Sequence, residues 1–355
     1  MSNIISNLIK KQSVWQALQN SNNPIVLYGM GDGADKVLSA FEKYNIKVSG
    51  IMASDNFVRG QSFHGFTVKK EAVLTQELGS FTVALCFASQ LPNVMDYIKG
   101  VASRHTTFVP SVPVFGNILF DEDFIIKNKN DIENAYSLLA DDLSRKVYEN
   151  ILLFYYTGKI ELLDNITTDK DEAFHKILKL GNNETYVDLG AYNGDTIDEF
   201  LHYAGNEYRK IIALEPNEKN FKKLQAHCAD MQNVDLWQLG SYSKNTVLEF
   251  NNKAGRNSAI CENGTKTQVA AVDTILCGIA ASYIKADVEG ADFETLEGMK
   301  NTLKNFQPKL NFSAYHRFED IFRLALYINR LNPNYKIYLR HHPYIPAWDT
   351  NLYCI

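Results

Sequence analysis

What the sequence does not contain bounds it first. Its five cysteines, Cys86, Cys228, Cys261, Cys277 and Cys354, are odd in number, scattered, and form no C-x-x-C. That excludes a disulfide framework and a zinc ribbon, and reads as reduced, buried thiols of a cytoplasmic protein. Basic residues are not in excess: 36 Lys and Arg face 41 Asp and Glu, a net charge of −5, which argues against a nucleic-acid partner. No apolar run approaches the length of a membrane span, and residues 1–20 are amphipathic rather than signal-like. Internal repeats, low-complexity tracts and long charge runs are missing too. With 45% hydrophobic and 22% charged residues in a chain of 355, the composition is that of an ordinary globular protein, long enough for two domains.

What is present centres on residues 184–196, ETYVDLGAYNGDT. A short apolar strand runs into Asp188-Leu189-Gly190, and Ala191-Tyr192-Asn193-Gly194 opens a helix. Strand, glycine turn and helix N-terminus turn backbone N–H groups outward, where a ligand comes close. The next strand, residues 211–215, ends in Glu215, where an acid meets the two hydroxyls of a ribose. The spacing Asp-x-Gly-x-x-x-Gly departs from the dinucleotide fingerprint and leaves no glycine beside a pyrophosphate. It suits a ligand without phosphates that carries an ammonium-bearing tail. S-adenosylmethionine answers that description, with Asp188 accepting from the tail, Gly190 clearing the backbone and Glu215 on the ribose. Tyr192, Asn193, Gly194, Thr196 and Asn217 complete the expected cofactor turn. The plain alternative is an αβ turn capped by Asp188 and Asn193.

The N-terminal third follows the same logic. Residues 2–19 show helical spacing. A buried strand, residues 24–28, enters Gly29-Met30-Gly31-Asp32-Gly33-Ala34, a helix follows from Lys36, and a second strand precedes Asp55. Gly29, Gly31, Gly33 and Asp55 therefore form a nucleotide-type turn with its acid, in a small doubly wound domain. Its ligand is a nucleotide or nucleotide sugar, or the module serves packing alone. Residues 131–157 carry apolar side chains three and four apart, which predicts one long helix ended by Gly158.

After Glu215 come a helix, a strand to Gln238, and Gly240-Ser241, where an adenine edge fits. A polar loop, residues 252–264, carries Arg256 and Ser258. Residues 282–290 then form a central strand ending in Asp287 and Glu289. Another strand leads to Tyr315-His316-Arg317, and the chain closes on Arg340-His341-His342 and a last strand. Ligands of open αβ sheets bind at the carboxyl ends of the strands, and these polar groups all fall at that rim. Arg256, Ser258, Tyr315, Arg317, Arg340 and His341 are thus the expected acceptor-binding residues.

From about residue 167 to the end, the chain resembles the FkbM family of S-adenosylmethionine-dependent methyltransferases. The stretches that carry the resemblance are YVDLGAYNGDTIDEF (186–200), ALEPNEKNF (213–221), SYIKADVEGADFETLEGM (282–299), PKLNFSAYHRFEDIF (308–322) and YKIYLRHH (335–342). The resemblance implies an α/β protein with a seven-stranded class I (Rossmann-like) methyltransferase domain at residues 166–355. A smaller doubly wound α/β domain (1–128) and a helical connector (129–165) would precede it. It also implies O-methylation of a sugar or related hydroxylated small molecule, with cofactor roles at Asp188, Gly190 and Glu215. The N-terminal domain more loosely resembles nucleotide-sugar-binding modules. A homo-oligomer is compatible with all of this.

Methyl transfer from a sulfonium is an in-line displacement, so alignment and exclusion of water carry most of the rate. The alcohol must still lose a proton. Asp287, Glu289 and His316 are the candidate bases, and His316 is the expected one, neutral near its ordinary pKa and oriented by Asp320. Asp287 then orients the acceptor hydroxyl or steadies the sulfonium side, and the plain alternative for Glu289 is a cap on the helix after Gly290. A magnesium ion on Asp287, Glu289 and His316 would want more carboxylates than the sequence supplies, so no metal is expected. Two other classes compete. A nucleic-acid N-methyltransferase would carry an N-P-P-[YF]-like block where this chain reads A-D-V-E-G. A methyltransferase fold that only binds would need no intact acid set.

Overall fold

The computed structural model describes residues 4–250 and 265–355; Arg256, Ser258 and most of their polar loop lie outside the described residues. The predicted first helix is two, Ile4–Ile9 and Val14–Gln19. The break has a local cause. Ser13 Oγ accepts from the Gln16 N–H at 3.2 Å while Gln16 Oε1 accepts from the Ser13 N–H at 3.1 Å, a reciprocal cap that starts a second helix.

Six strands follow: β1 (Ile25–Tyr28), β2 (Val48–Met52), β3 (Ser62–Phe63), β4 (Phe66–Lys69), β5 (Thr82–Leu85) and β6 (Thr107–Phe108). They form one sheet in the order β3-β4-β2-β1-β5-β6, parallel except for the β3–β4 pair. Every residue of β1 and β5 is buried, as the inner strands of a sheet covered on both faces must be. Gly29 and Gly31 take φ of 117° and 106°, and the helix Asp32–Lys43 begins four residues earlier than its apolar pattern suggests. Gly33 has a packing reason of its own, because a Cβ there would strike the Cys86 carbonyl. Asp55 sits in an exposed turn, 3.6 Å from Lys70.

The expected connector helix is also interrupted. Lys129–Leu138 ends, and Asp141 caps a new helix, Asp142–Thr157, by accepting from the Ser144 N–H at 2.8 Å. Gly158 terminates it in the left-handed conformation. The longer helix joins the two halves. One apolar cluster runs from Val26 and Tyr28 of β1, through Ile151 and Leu152, to Ile284 and Leu310 in the C-terminal half.

That half holds β7 (Thr185–Leu189), β8 (Lys210–Leu214), β9 (Val234–Trp237), β10 (Gly240–Tyr242), β11 (Thr246–Phe250), β12 (Thr265–Ala271), β13 (Tyr283–Ala286), β14 (Lys309–Ser313), β15 (Ile337–His341) and β16 (Thr350–Cys354). Seven of them form the main sheet, β15-β16-β14-β13-β7-β8-β9, in which only β16 and its neighbours pair antiparallel. The other three make a side sheet, β10-β12-β11. The chain reverses its direction of travel between β7 and β13, the switch point at which such sheets bind ligands. Four cysteines among the described residues are free. Cys86, Cys228 and Cys354 are buried as expected, but Cys277 is exposed, in the turn after a short helix.

Two rim assignments change here. Arg340 is 1% exposed and faces inward. Its guanidinium pairs with Asp141 at 2.6 Å and Glu172 at 2.5 Å and donates to Ser144 Oγ at 2.8 Å. It thereby ties the cap of the Asp142–Thr157 helix and a one-turn π-helix, Glu172–Leu178, to β15. His341 is fully buried against Thr350 Oγ1 at 3.0 Å, and burial pushes its imidazole down to about 3. Neither side chain is available to an acceptor. Both sit on the strand itself, which pairs with β16 instead of opening to the rim.

Removing one partner of a buried ion pair strands the others, at a cost on the order of 3 kcal/mol. Urea unfolding of Arg340→Ala is expected to show a loss of that size. A loss below about 1 kcal/mol would place this cluster with ordinary surface pairs.

Candidate active site

β7 delivers Asp188 to the carboxyl edge of the main sheet. The residue is fully buried. Its Oδ2 accepts from Thr196 Oγ1 at 2.5 Å, whereas Oδ1 has no hydrogen-bond partner among the described residues. The nearest charge is the Lys285 ammonium, 3.9 Å away across the parallel β7–β13 register. Burial raises the Asp188 carboxyl despite that lysine. A buried carboxylate oxygen without a donor costs about 1–3 kcal/mol, and a ligand donor would relieve it.

Gly190, at φ 88°, cannot be replaced by a larger residue, because a Cβ would meet the carbonyl of Asp287, the residue just after β13. The turn that follows is held by Glu215, which leaves β8. Its Oε2 accepts from the Tyr192 N–H at 3.0 Å and its Oε1 from the Asn217 N–H at 2.8 Å. The first of these fixes Tyr192 at φ 48°. Burial raises the Glu215 carboxyl against these two donors. The Asn220 side chain adds a third donor to this carboxylate. Tyr192 is itself half exposed at the rim, and Gly194 packs against the His227 ring.

Three neighbours are engaged elsewhere. Asn217 caps the helix Glu218–His227, its Oδ1 accepting from the Lys219 and Asn220 N–H groups. Asn193 Oδ1 meets the Asp195 N–H at 3.4 Å. Gly240 opens β10, and the Ser241 hydroxyl turns inward to Thr295 at 2.8 Å.

Across the switch point the second half of the site hangs on His316. The ring is 2% exposed. Nδ1 lies 2.8 Å from Asp292 Oδ2 and Nε2 lies 3.1 Å from Asp287 Oδ1. Burial disfavours its charge, but the two carboxylates prevail and raise its pKa well above the ordinary value. Asp287 moves the other way. Burial opposes its charge, yet His316 and Lys285 hold its carboxyl well below the usual range. His316 is therefore an imidazolium with both nitrogens donating, and the expectation that it is a neutral base does not survive the geometry. Its orienting partner is Asp292, not Asp320. Asp320 accepts from the Arg317 N–H at 2.9 Å, and burial beside Asp292 raises its carboxyl well above the usual range.

One atom each of Asp292, His316 and Asp320 falls within 4.8 Å of the others, a set that could hold a cation. It differs from the Asp287, Glu289 and His316 set weighed from sequence.

Tyr315 sets its hydroxyl 3.3 Å from Asp287 Oδ1. Glu289 adopts φ 54° beside Gly290 at 89°, and it does not cap the next helix, Asp292–Gly298, whose flanking position is Ala291. Arg317 reaches back to the Gly290 carbonyl at 3.2 Å and lies over the Phe115 ring. Phe115 arrives from the segment after β6. Its N–H donates to the His316 carbonyl at 2.9 Å, and its ring fills the space a Gly290 Cβ would take. Asp292, Lys285 and Phe115 are absent from the sequence-derived site. Asp292 follows Asp287 within A-D-V-E-G-A-D, the only local signal any of the three carries.

Residues 188–343 match the family model of the methyltransferase FkbM domain. In structure the chain is similar to methyltransferase FkbM from Methylobacillus flagellatus, at a TM-score of 0.73 and 19% identity, over 100% of this chain and 94% of that one. That likeness establishes the fold. Aeropyrum pernix fibrillarin with bound S-adenosyl-L-methionine aligns at 0.34 and 10% over 50% of this chain and 69% of its own. A Streptococcus thermophilus rRNA methylase aligns at 0.34 and 15%, over 52% and 92%. Scores that low carry no weight here. No curated protein matches by sequence.

The His316–Asp287 pair has a pH signature. Asp287, depressed on folding, contributes stability that is complete above its ordinary 3.8 and fades as pH falls through its lower folded value. His316, raised on folding, contributes fully below its ordinary 6.5 and loses that contribution as pH climbs through its higher folded value. The stability lost in His316→Gln is thus expected to be greatest between about pH 4 and 6.5 and to shrink in alkali. A loss that grew with pH would mean a neutral His316.

Proposed function

We propose that the protein, whose residues 188–343 match the FkbM methyltransferase domain, is an S-adenosylmethionine-dependent O-methyltransferase acting on a hydroxyl of a sugar or related small polyhydroxylated molecule. The observation that carries this reading is the pairing of two half-sites across one switch point. Buried acids Asp188 and Glu215 flank a glycine turn on one side, and the Asp287–His316–Asp292 chain stands on the other. We assign methyl transfer to residues 166–355, the link to 129–165, and a share of the acceptor's binding to 1–128.

The residues present fit the cofactor. Asp188 offers an unpartnered buried oxygen to its ammonium, Gly190 admits close approach, and Glu215 is the acid for the ribose hydroxyls. When bound, S-adenosylmethionine supplies an electrophilic methyl on a sulfonium. The protein's work is then to aim a hydroxyl and remove its proton. Asp287 is the group for both. It is ionised and partly exposed, and its second neighbour, Tyr315, is itself a hydroxyl that shows an oxygen can be received there.

A carboxylate with a depressed pKa is a weak base toward a free alcohol. The alcohol's proton becomes strongly acidic as its oxygen gives up electron density, so a weak, well-placed base suffices late in the step. His316, locked as a cation, orients Asp287 and keeps it charged. Asp292 in turn keeps His316 charged.

Titration calorimetry tests the first half-site. Glu215→Gln, which keeps an acceptor for one of the two backbone donors, is expected to weaken S-adenosylmethionine binding at least tenfold, about 1.4 kcal/mol. Unchanged affinity would remove Glu215 from the cofactor site.

For the second half-site, transfer of labelled methyl to a set of sugar acceptors is the measure. Asp287→Asn is expected to lower kcat by about 10²–10⁴ with cofactor affinity intact. An active Asp287→Asn would return the base to another group.

A further inference from the structure

A cavity of about 610 Å³ lies between the carboxyl ends of β1 and β5 and the loops that follow β14 and β15. This volume suits a drug-sized or disaccharide-sized molecule. Its walls join the two halves of the chain: Leu85–Leu91 and Pro110–Val114 on one side, Tyr315, Phe318 and Tyr344–Trp348 on the other. Tyr315 connects it to the chemistry, since its ring lines the cavity while its hydroxyl touches Asp287.

The lining is aromatic. Phe87, Phe154, Tyr155, Tyr315, Tyr344 and Trp348 are among the residues that line it. Tyr315 and Trp348 lie near parallel, their centroids 6.3 Å apart with 20° between planes, and Tyr344 follows at 5.8 Å. Rings so arranged receive the apolar faces of another ring.

Among the described residues, charge on the wall is confined to Asp32 and Lys36, and that lysine is already engaged. Its ammonium donates to the Val114 carbonyl at 2.8 Å and the Pro113 carbonyl at 3.4 Å, and pairs with Asp32 at 3.3 Å. The glycine turn beside it opens a helix whose first turn carries two acids, Asp32 and Asp35. A diphosphate placed there would face those carboxylates, with the one cation on the wall among the described residues already engaged. Gly33, the third glycine of the turn, is accounted for by the Cys86 carbonyl. Ser111, also on the wall, holds a buried hydroxyl without a hydrogen-bond partner among the described residues.

We propose that this cavity receives the body of the acceptor as a neutral, amphipathic ring compound, a glycoside bearing an apolar aglycone, and that it does not receive a sugar nucleotide. The aglycone lies among the rings, Ser111 pairs with a hydroxyl, and the reacting hydroxyl emerges past Tyr315 at Asp287. This rests on the methyl-transfer reading above. It departs from the sequence expectation of a nucleotide-type turn at Gly29, Gly31, Gly33 and Asp55, because Asp55 is paired with Lys70 on an exposed turn and, among the described residues, the cavity wall carries no lysine or arginine besides the engaged Lys36.

Calorimetric titrations of the full chain test it. The probes are S-adenosylmethionine, a set of 4-nitrophenyl hexosides, and the uridine and thymidine diphosphate forms of the same hexoses. A 4-nitrophenyl hexoside is expected to bind at least tenfold tighter than its sugar nucleotide, and to lose at least tenfold in Trp348→Ala while S-adenosylmethionine affinity holds. Should Trp348→Ala lose the cofactor as well, Ala88→Trp, which fills the cavity from the N-terminal side, reads the same loss. Tighter binding of a sugar nucleotide, or no hexoside binding by a protein that still binds S-adenosylmethionine, overturns the proposal. Failure to bind S-adenosylmethionine at all would instead strike the methyl-transfer reading.

Discussion

A row of buried groups alternating in sign governs the C-terminal half. Asp188 faces Lys285 at 3.9 Å, and the lysine also acts on Asp287. His316 follows at 3.1 Å, then Asp292 at 2.8 Å. Each member is costly to bury alone and tolerable only because of the next. The row biases the protonation of its members: His316 and Lys285 hold Asp287 low, the two carboxylates hold His316 high, and burial beside Asp292 raises Asp320 at the far end. It also begins and ends on acids, so a positively charged ligand such as a sulfonium enters an environment already biased towards it.

The sheet makes this arrangement possible. Asp188 and Lys285 sit opposite each other because β7 and β13 are parallel neighbours in register, although 97 residues separate them in the chain. Gly190 lets those strand ends approach closely enough for the turn and Asp287 to share one rim. The N-terminal half completes the site from the other side. Phe115 packs on Gly290, receives the His316 carbonyl, and lies beneath Arg317.

Much of this was legible in the sequence. Short apolar runs ending in glycine gave the strands and turns, and the D-V-E-G and Y-H stretches located the rim. The breaks at Ser13 and Asp141 were not legible as breaks, because the apolar period continues across both and only the caps interrupt it. Arg340 and His341 were misplaced for a related reason. A basic residue at a strand end looks solvent-facing until Asp141 and Glu172, some 170 to 200 residues earlier, are brought beside it. The charge of His316 depends on Asp292, which local sequence marks only as one more acid at a helix start. The cavity belongs to neither half alone, so no single stretch announces it.

The Phe115–Gly290 contact has an implication for how such chains diversify. One residue of the N-terminal half is the counterpart of a backbone position beside the reacting groups, so the two halves do not behave as interchangeable cassettes. A recombinant that imported a foreign N-terminal half would bring new cavity walls together with a new neighbour for Gly290. Change in the cavity walls and change in the posture of the segment between Asp287 and Asp292 would then be inherited as a single event, and a successful exchange would have to carry the aromatic residue with it.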